Sequence, residues 1–111
     1  MEETEIHLSA MPSETQFISL VETLIVTYRL NIRMRSTLST YPGSIHWHLN
    51  KSGERGTLEI TFWPAGKRAW FSVQSRRQAD WIEKILSQFK AELESDLSRP
   101  SPGQRLRLNE D

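Results

Sequence analysis

The chain has 111 residues, of which 25% are charged and 37% hydrophobic, a composition compatible with one small folded domain. It contains no cysteine, which removes disulfides, thiolate metal sites and thiol nucleophiles. Lys+Arg and Asp+Glu balance at 14 each, and no apolar run approaches the ~20 residues of a membrane span, so a soluble cytoplasmic protein with no membrane partner is expected.

Residues 1–12, MEETEIHLSAMP, are acidic and lack the basic and apolar regions of a signal peptide; they read as a flexible leader. At Ser13 the pattern changes. "SETQ" is a capping box, with Ser13 placed to accept from the third helical amide. Phe17, Leu20, Val21, Leu24, Tyr28 and Ile32 then recur at helical spacing, with Ile18 and Ile25 at the edge of that face. This predicts a helix from about Glu14 into the mid-thirties. The competing reading is a strand over Leu30–Arg35, because "LNIRMR" alternates apolar and polar. The helix accounts for more residues and is preferred. Tyr41-Pro42-Gly43 ends either one.

Three strands follow. "SIHWHLN" puts Ile45, Trp47 and Leu49 on one face. "TLEITFW" does the same with Leu58, Ile60 and Phe62, and "RAWFSV" with Ala69, Phe71 and Val73. The links Lys51–Gly56 and "PAGK" are short, so the strands form an antiparallel meander, with Gly66 free to take positive φ in the tighter turn. "SRRQ" repeats the capping-box pattern at Ser75 and Gln78. Beyond it Ile82, Ile85, Leu86, Phe89, Leu93 and Leu97 share a helical face. "SRPSPG" ends this helix and begins a flexible Pro/Arg-containing tail, 98–111.

The predicted fold is α+β, in the order α-β-β-β-α: one domain over 13–97, with a three-stranded antiparallel sheet and both helices on one face. The opposite sheet face carries His46, His48, Asn50, Thr57, Glu59, Thr61, Trp63, Arg68, Trp70 and Ser72, and nothing in the predicted layout covers it.

That face carries the first functional expectation, a small non-enzymatic interaction module. His46, His48, Trp63, Arg68 and Trp70 would meet a protein partner or a second copy, tryptophan being common in interface hot spots. His46 and His48 point the same way along their strand, and Glu59 on the next strand is a conceivable third metal ligand, since zinc sites use His2Glu sets. Histidines on a solvated strand face are ordinary, however, and no HExxH, nucleophile elbow or phosphate loop accompanies them. No metal, catalytic or cofactor residue is therefore assigned.

The second expectation comes from charge. Residues 29–77 hold nine Lys or Arg against Glu54 and Glu59, a net +7 between acidic ends. Lys51, Arg55, Lys67, Arg68, Arg76 and Arg77 form an alternative nucleic-acid or polyanion surface, with Arg76 and Arg77 at the start of the second helix. The α-β-β-β-α order with bases at that helix start resembles double-stranded-RNA-binding domains in outline. The helix start "SRRQADW" and the loop "NKSGERG" match those domains' motifs only in the paired bases, so no family is assigned.

Overall fold

The computed structural model describes residues 1–99; residues 100–111, which hold most of the expected tail, lie outside the described residues. The coarse α+β class is correct, but the sheet has five strands rather than three. In chain order the elements are β1 (Glu2–Glu5), α1 (Glu14–Thr27), β2 (Asn31–Ser36), β3 (Ile45–Asn50), β4 (Leu58–Trp63), β5 (Arg68–Val73) and α2 (Asp80–Leu97). The sheet order is β1-β5-β4-β3-β2, antiparallel throughout. With a strand before and after α1, the order departs from the α-β-β-β-α outline and from the RNA-binding resemblance built on it. No helix among the described residues is long and apolar enough to cross a membrane.

The preferred helix through the mid-thirties is wrong and the competing strand is right. Ser13 caps α1 as expected, its hydroxyl accepting from the Gln16 amide. The helix stops at Thr27 because the chain makes a Schellman closure. The Arg29 amide donates to the Val26 carbonyl and the Leu30 amide to that of Ile25, while Arg29 adopts φ +58°. The sequence hides this stop, since the left-handed position holds arginine where glycine is usual. Leu30 is buried beyond the turn, and β2 runs on as an edge strand. A bulge between Ile32 and Met34 leaves Arg33 as its extra residue. Ile32 therefore pairs with Leu49 on the core side, whereas Met34 pairs with His48 on the polar side.

Part of the acidic leader is also structured. Glu2–Glu5 pair with β5 from Val73 to Trp70. Ile6 is buried in the core, its amide donating to the Ala69 carbonyl. The His7 amide donates to Glu94 of α2, at 2.7 Å. Charged edge strands protect a sheet from further pairing, which reconciles an acidic sequence with a strand.

The core lies where the alternation put it. Phe17, Val21, Leu24 and Ile25 of α1 and Trp81, Ile82, Phe89, Leu93 and Leu97 of α2 share one cluster with the inward residues of β3, β4 and β5. Phe17 stacks on Phe62 with ring centroids 4.1 Å apart, and Phe89 meets Phe71 edge-on. Both helices thus cover one sheet face. The second capping box does not form: Ser75–Arg77 make a short 3₁₀ turn, Gln78 and Ala79 are extended, and α2 begins at Asp80. Asp80 and Glu83 then occupy its first turn, where carboxylates suit the helix dipole, and Arg76 and Arg77 stand outside the helix.

Candidate metal centre

The polar sheet face is not open. Thr37–Ser44, the connection between β2 and β3, folds across part of it. The Tyr41 amide donates to Leu38, the Ser44 amide to Tyr41, and the Leu38 amide to the Ser44 hydroxyl. Gly43 takes φ +80° to complete the turn. Tyr41 reaches both tryptophans edge-on, with ring centroids 5.0 Å from Trp63 and 5.0 Å from Trp70.

The two tryptophans are not direct cross-strand partners: Trp63 pairs with Arg68, and Trp70 with Thr61. Trp63 lies over the β4–β5 turn, where a Cβ on Gly66 would fall 2.1 Å from its ring, and its indole donates to the Pro42 carbonyl. Gly66 is therefore required for close approach, and the positive φ expected of it belongs to Lys67. Trp70 is only 3% exposed, and the Arg68 guanidinium sits 4.4 Å over its ring while pairing with Glu5. Of the five residues expected to meet a partner, His46 and Trp70 are buried, and His48, Trp63 and Arg68 are partly so.

What remains between this loop, the sheet and the Gln74–Arg77 segment is a cavity of about 640 Å³. His46, His48, Glu59, Thr61 and Ser72 contribute from the sheet, Tyr41 and Leu38 from the loop, Met1 and Glu3 from the N-terminal edge, and Arg76 and Arg77 from the far side.

Strand register assembles the site. His48 lies opposite Glu59, and His46 opposite Thr61. His46 Nε2 is 3.2 Å from Glu59 Oε1, and His48 Nε2 is 3.7 Å from the same oxygen. One ligand atom from each of the three residues lies within 4.8 Å of the other two. Tetrahedral zinc with bonds of about 2.0–2.1 Å spaces its ligand atoms about 3.3 Å apart, so shifts of the order of an ångström close the set around one ion. Two imidazoles and one carboxylate are also the protein ligand set of catalytic zinc sites with three protein ligands and of facial-triad iron sites.

The surroundings suit that chemistry. Glu59 is 5% exposed, and among the described residues no lysine or arginine pairs with it. Burial holds the His46 imidazole below its ordinary value; Glu59 opposes that effect and His48 adds to it. The neutral ring that results is the form a metal requires. His46 Nδ1 lies 2.7 Å from the Thr61 hydroxyl, which is fully buried. A hydroxyl both donates and accepts, so Thr61 serves either tautomer. With Nδ1–H donating to Thr61, the Nε2 lone pair would be free to ligate an ion, the arrangement that hydrogen-bond partners of metal histidines give them.

The expected polyanion surface divides. The Trp81 indole donates to the Arg55 carbonyl, and the Thr57 amide to that of Arg77, so Lys51, Arg55, Arg76 and Arg77 gather at one end of the sheet. Lys67 and Arg68 sit at the opposite end of β5, about 17 Å along a six-residue strand. Comparison with protein-family models, with curated proteins and with solved structures finds no match, so the site is read from its own geometry.

Proposed function

We propose that this is a small metal-binding module in which His46, His48 and Glu59 hold a divalent transition-metal ion at the floor of the sheet-face cavity. The observation that carries the reading is a buried carboxylate whose close partners are two imidazoles. A buried anion without a cation is costly, and a metal ion satisfies it together with both Nε2 atoms. Imidazole and carboxylate without thiolate suit zinc, ferrous iron or cobalt. Three protein ligands leave at least one coordination position facing the cavity.

The test is a calorimetric titration of the full chain with Zn²⁺, alongside histidine NMR. One ion per chain is expected, with His46 and His48 resonances shifting together, and His46→Gln and His48→Gln each removing the binding. Unmoved His46 and His48 signals at saturating Zn²⁺, or stoichiometric binding that survives both substitutions, would overturn the reading.

Protein contact, the first expectation from sequence, finds a different surface in β2. Ile32 and Met34 are 43% and 46% exposed on this edge strand, whose outer backbone groups have no neighbouring strand among the described residues. Light scattering after size-exclusion chromatography tests self-pairing there. A monomer at every concentration for both the wild type and Met34→Lys removes it.

A further inference from the structure

The cavity above the three ligands has a second pole of charge. Arg76 and Arg77 line its far side, both are exposed, and neither joins an ion pair among the described residues. Arg68, by contrast, is committed to Glu5 and Trp70. The charged side chains lining the cavity are Glu3, Glu59, Arg76 and Arg77, and Met1 brings the N-terminal amine to the same cavity. A divalent ion held by His46, His48 and Glu59 would add positive charge on the floor, beside that of the two guanidinium groups. A volume of about 640 Å³ exceeds what a water or a monatomic ion needs and falls in the range of small-molecule sites. The rest of the lining mixes polar Thr61, Ser72 and Gln74 with Trp70, Tyr41 and Leu38.

We propose that the cavity binds a small organic dicarboxylate, one carboxylate taking the open position on the metal and the other held by Arg76 and Arg77. Guanidinium forks match a planar carboxylate through paired N–H donors, and a metal with three protein ligands accepts the other end in place of water. The proposal rests on the metal reading above and names the ligand class for that same site. Metal loading governs the ligand: without the ion the second carboxylate has no metal to meet, and only the arginine pole remains.

The experiment uses the full chain loaded with one equivalent of Co²⁺, whose visible bands report ligands entering the metal's coordination shell. It is titrated separately with succinate and with acetate. Succinate is expected to bind at least tenfold more tightly than acetate. In Arg76→Gln/Arg77→Gln the two affinities should converge, with Co²⁺ uptake unchanged, since neither arginine touches the metal. Equal affinities in the wild type, or a preference that survives the double substitution, would overturn the proposal and leave the metal reading standing. Failure to take up Co²⁺ at all would overturn both. Far-ultraviolet circular dichroism of the double variant confirms that any loss is not unfolding.

Discussion

Replacing Glu59 with Gln separates a site kept for a ligand from one kept for the fold. The two side chains have nearly the same shape, so the change opens no cavity on β4. In the metal-free protein the substitution removes a buried charge whose close partners are His46 and His48. The new amide still reaches His46 Nε2, since the present oxygen lies 3.2 Å away. Metal-free Glu59→Gln should therefore be at least as stable as the wild type, to within about 1 kcal/mol. The metal-bound state behaves differently. Free metal at a hundredfold excess over its dissociation constant stabilises the wild type by about 2.7 kcal/mol. For a domain of this size each kcal/mol moves the melting temperature by about 4–8 °C, so Zn²⁺ should raise it by roughly 10–20 °C. In Glu59→Gln the rise should vanish. Scanning calorimetry of both proteins with Zn²⁺ and with EDTA measures all four values. Destabilisation of the metal-free variant by ~2 kcal/mol or more would mark Glu59 as a structural residue, because an isosteric amide costs that much only where a favourable charge has been lost. A Zn²⁺-dependent rise retained in the variant would refute its role as a ligand.

Thr61→Val keeps the shape beside His46 but removes the hydroxyl 2.7 Å from Nδ1, and should weaken Zn²⁺ binding about 10–100-fold, read by competition with a chromophoric chelator. Arg29→Gly relieves a left-handed residue in the closure of α1 and should stabilise the protein by about 0.5–1 kcal/mol in urea denaturation. Gly66→Ala drives a methyl into the Trp63 ring; it should destabilise by more than 1 kcal/mol on the scale of overpacked sites and shift tryptophan fluorescence. Burial alone would raise the Glu94 carboxyl, but the His7 amide and the Lys90 ammonium outweigh it and hold the group below its ordinary value. Its contribution to stability is therefore complete above the unfolded-state value of a glutamate and is lost as pH falls through the lower folded value. The stability gap between wild type and Glu94→Gln should accordingly be present at pH 7 and close in acid, as measured by denaturant titration at several pH values.

How far each part could be read depends on the range of the forces that form it. Strands β3, β4 and β5 were legible because period-two alternation is local and Trp47, Ile60 and Phe71 each lie within a few residues of their pattern. The α1 cap at Ser13 was legible for the same reason. Strand β2 was visible only as the weaker of two patterns, because the signal that ends α1 is a backbone closure carried by Arg29. Strand β1 gave no apolar signal: four acidic and polar residues become a strand only because β5 presents an unpaired edge and Ile6 fills a core site beside it. The capping box at Ser75 failed because Ser75–Arg77 turn once as a 3₁₀ segment and the chain re-enters a helix only at Asp80.

The candidate site follows the same division. Alternation by itself determined that His46 and His48 share a face, and that Glu59, Thr61, Trp70 and Ser72 stand on it, because side chains on a strand point alternately up and down whatever the partner. Register decided that Glu59 falls opposite His48 and Thr61 opposite His46, and register depends on how the Lys51–Thr57 link closes. The tertiary structure alone decided that this face is a cavity rather than a surface. The Thr37–Ser44 connection must cross from β2 to β3, and its closure around Gly43 lays Tyr41 over the polar side of the sheet. Glu59 is buried beside the two imidazoles in that arrangement, and burial, which no local pattern encodes, turns two ordinary strand histidines into candidate metal ligands.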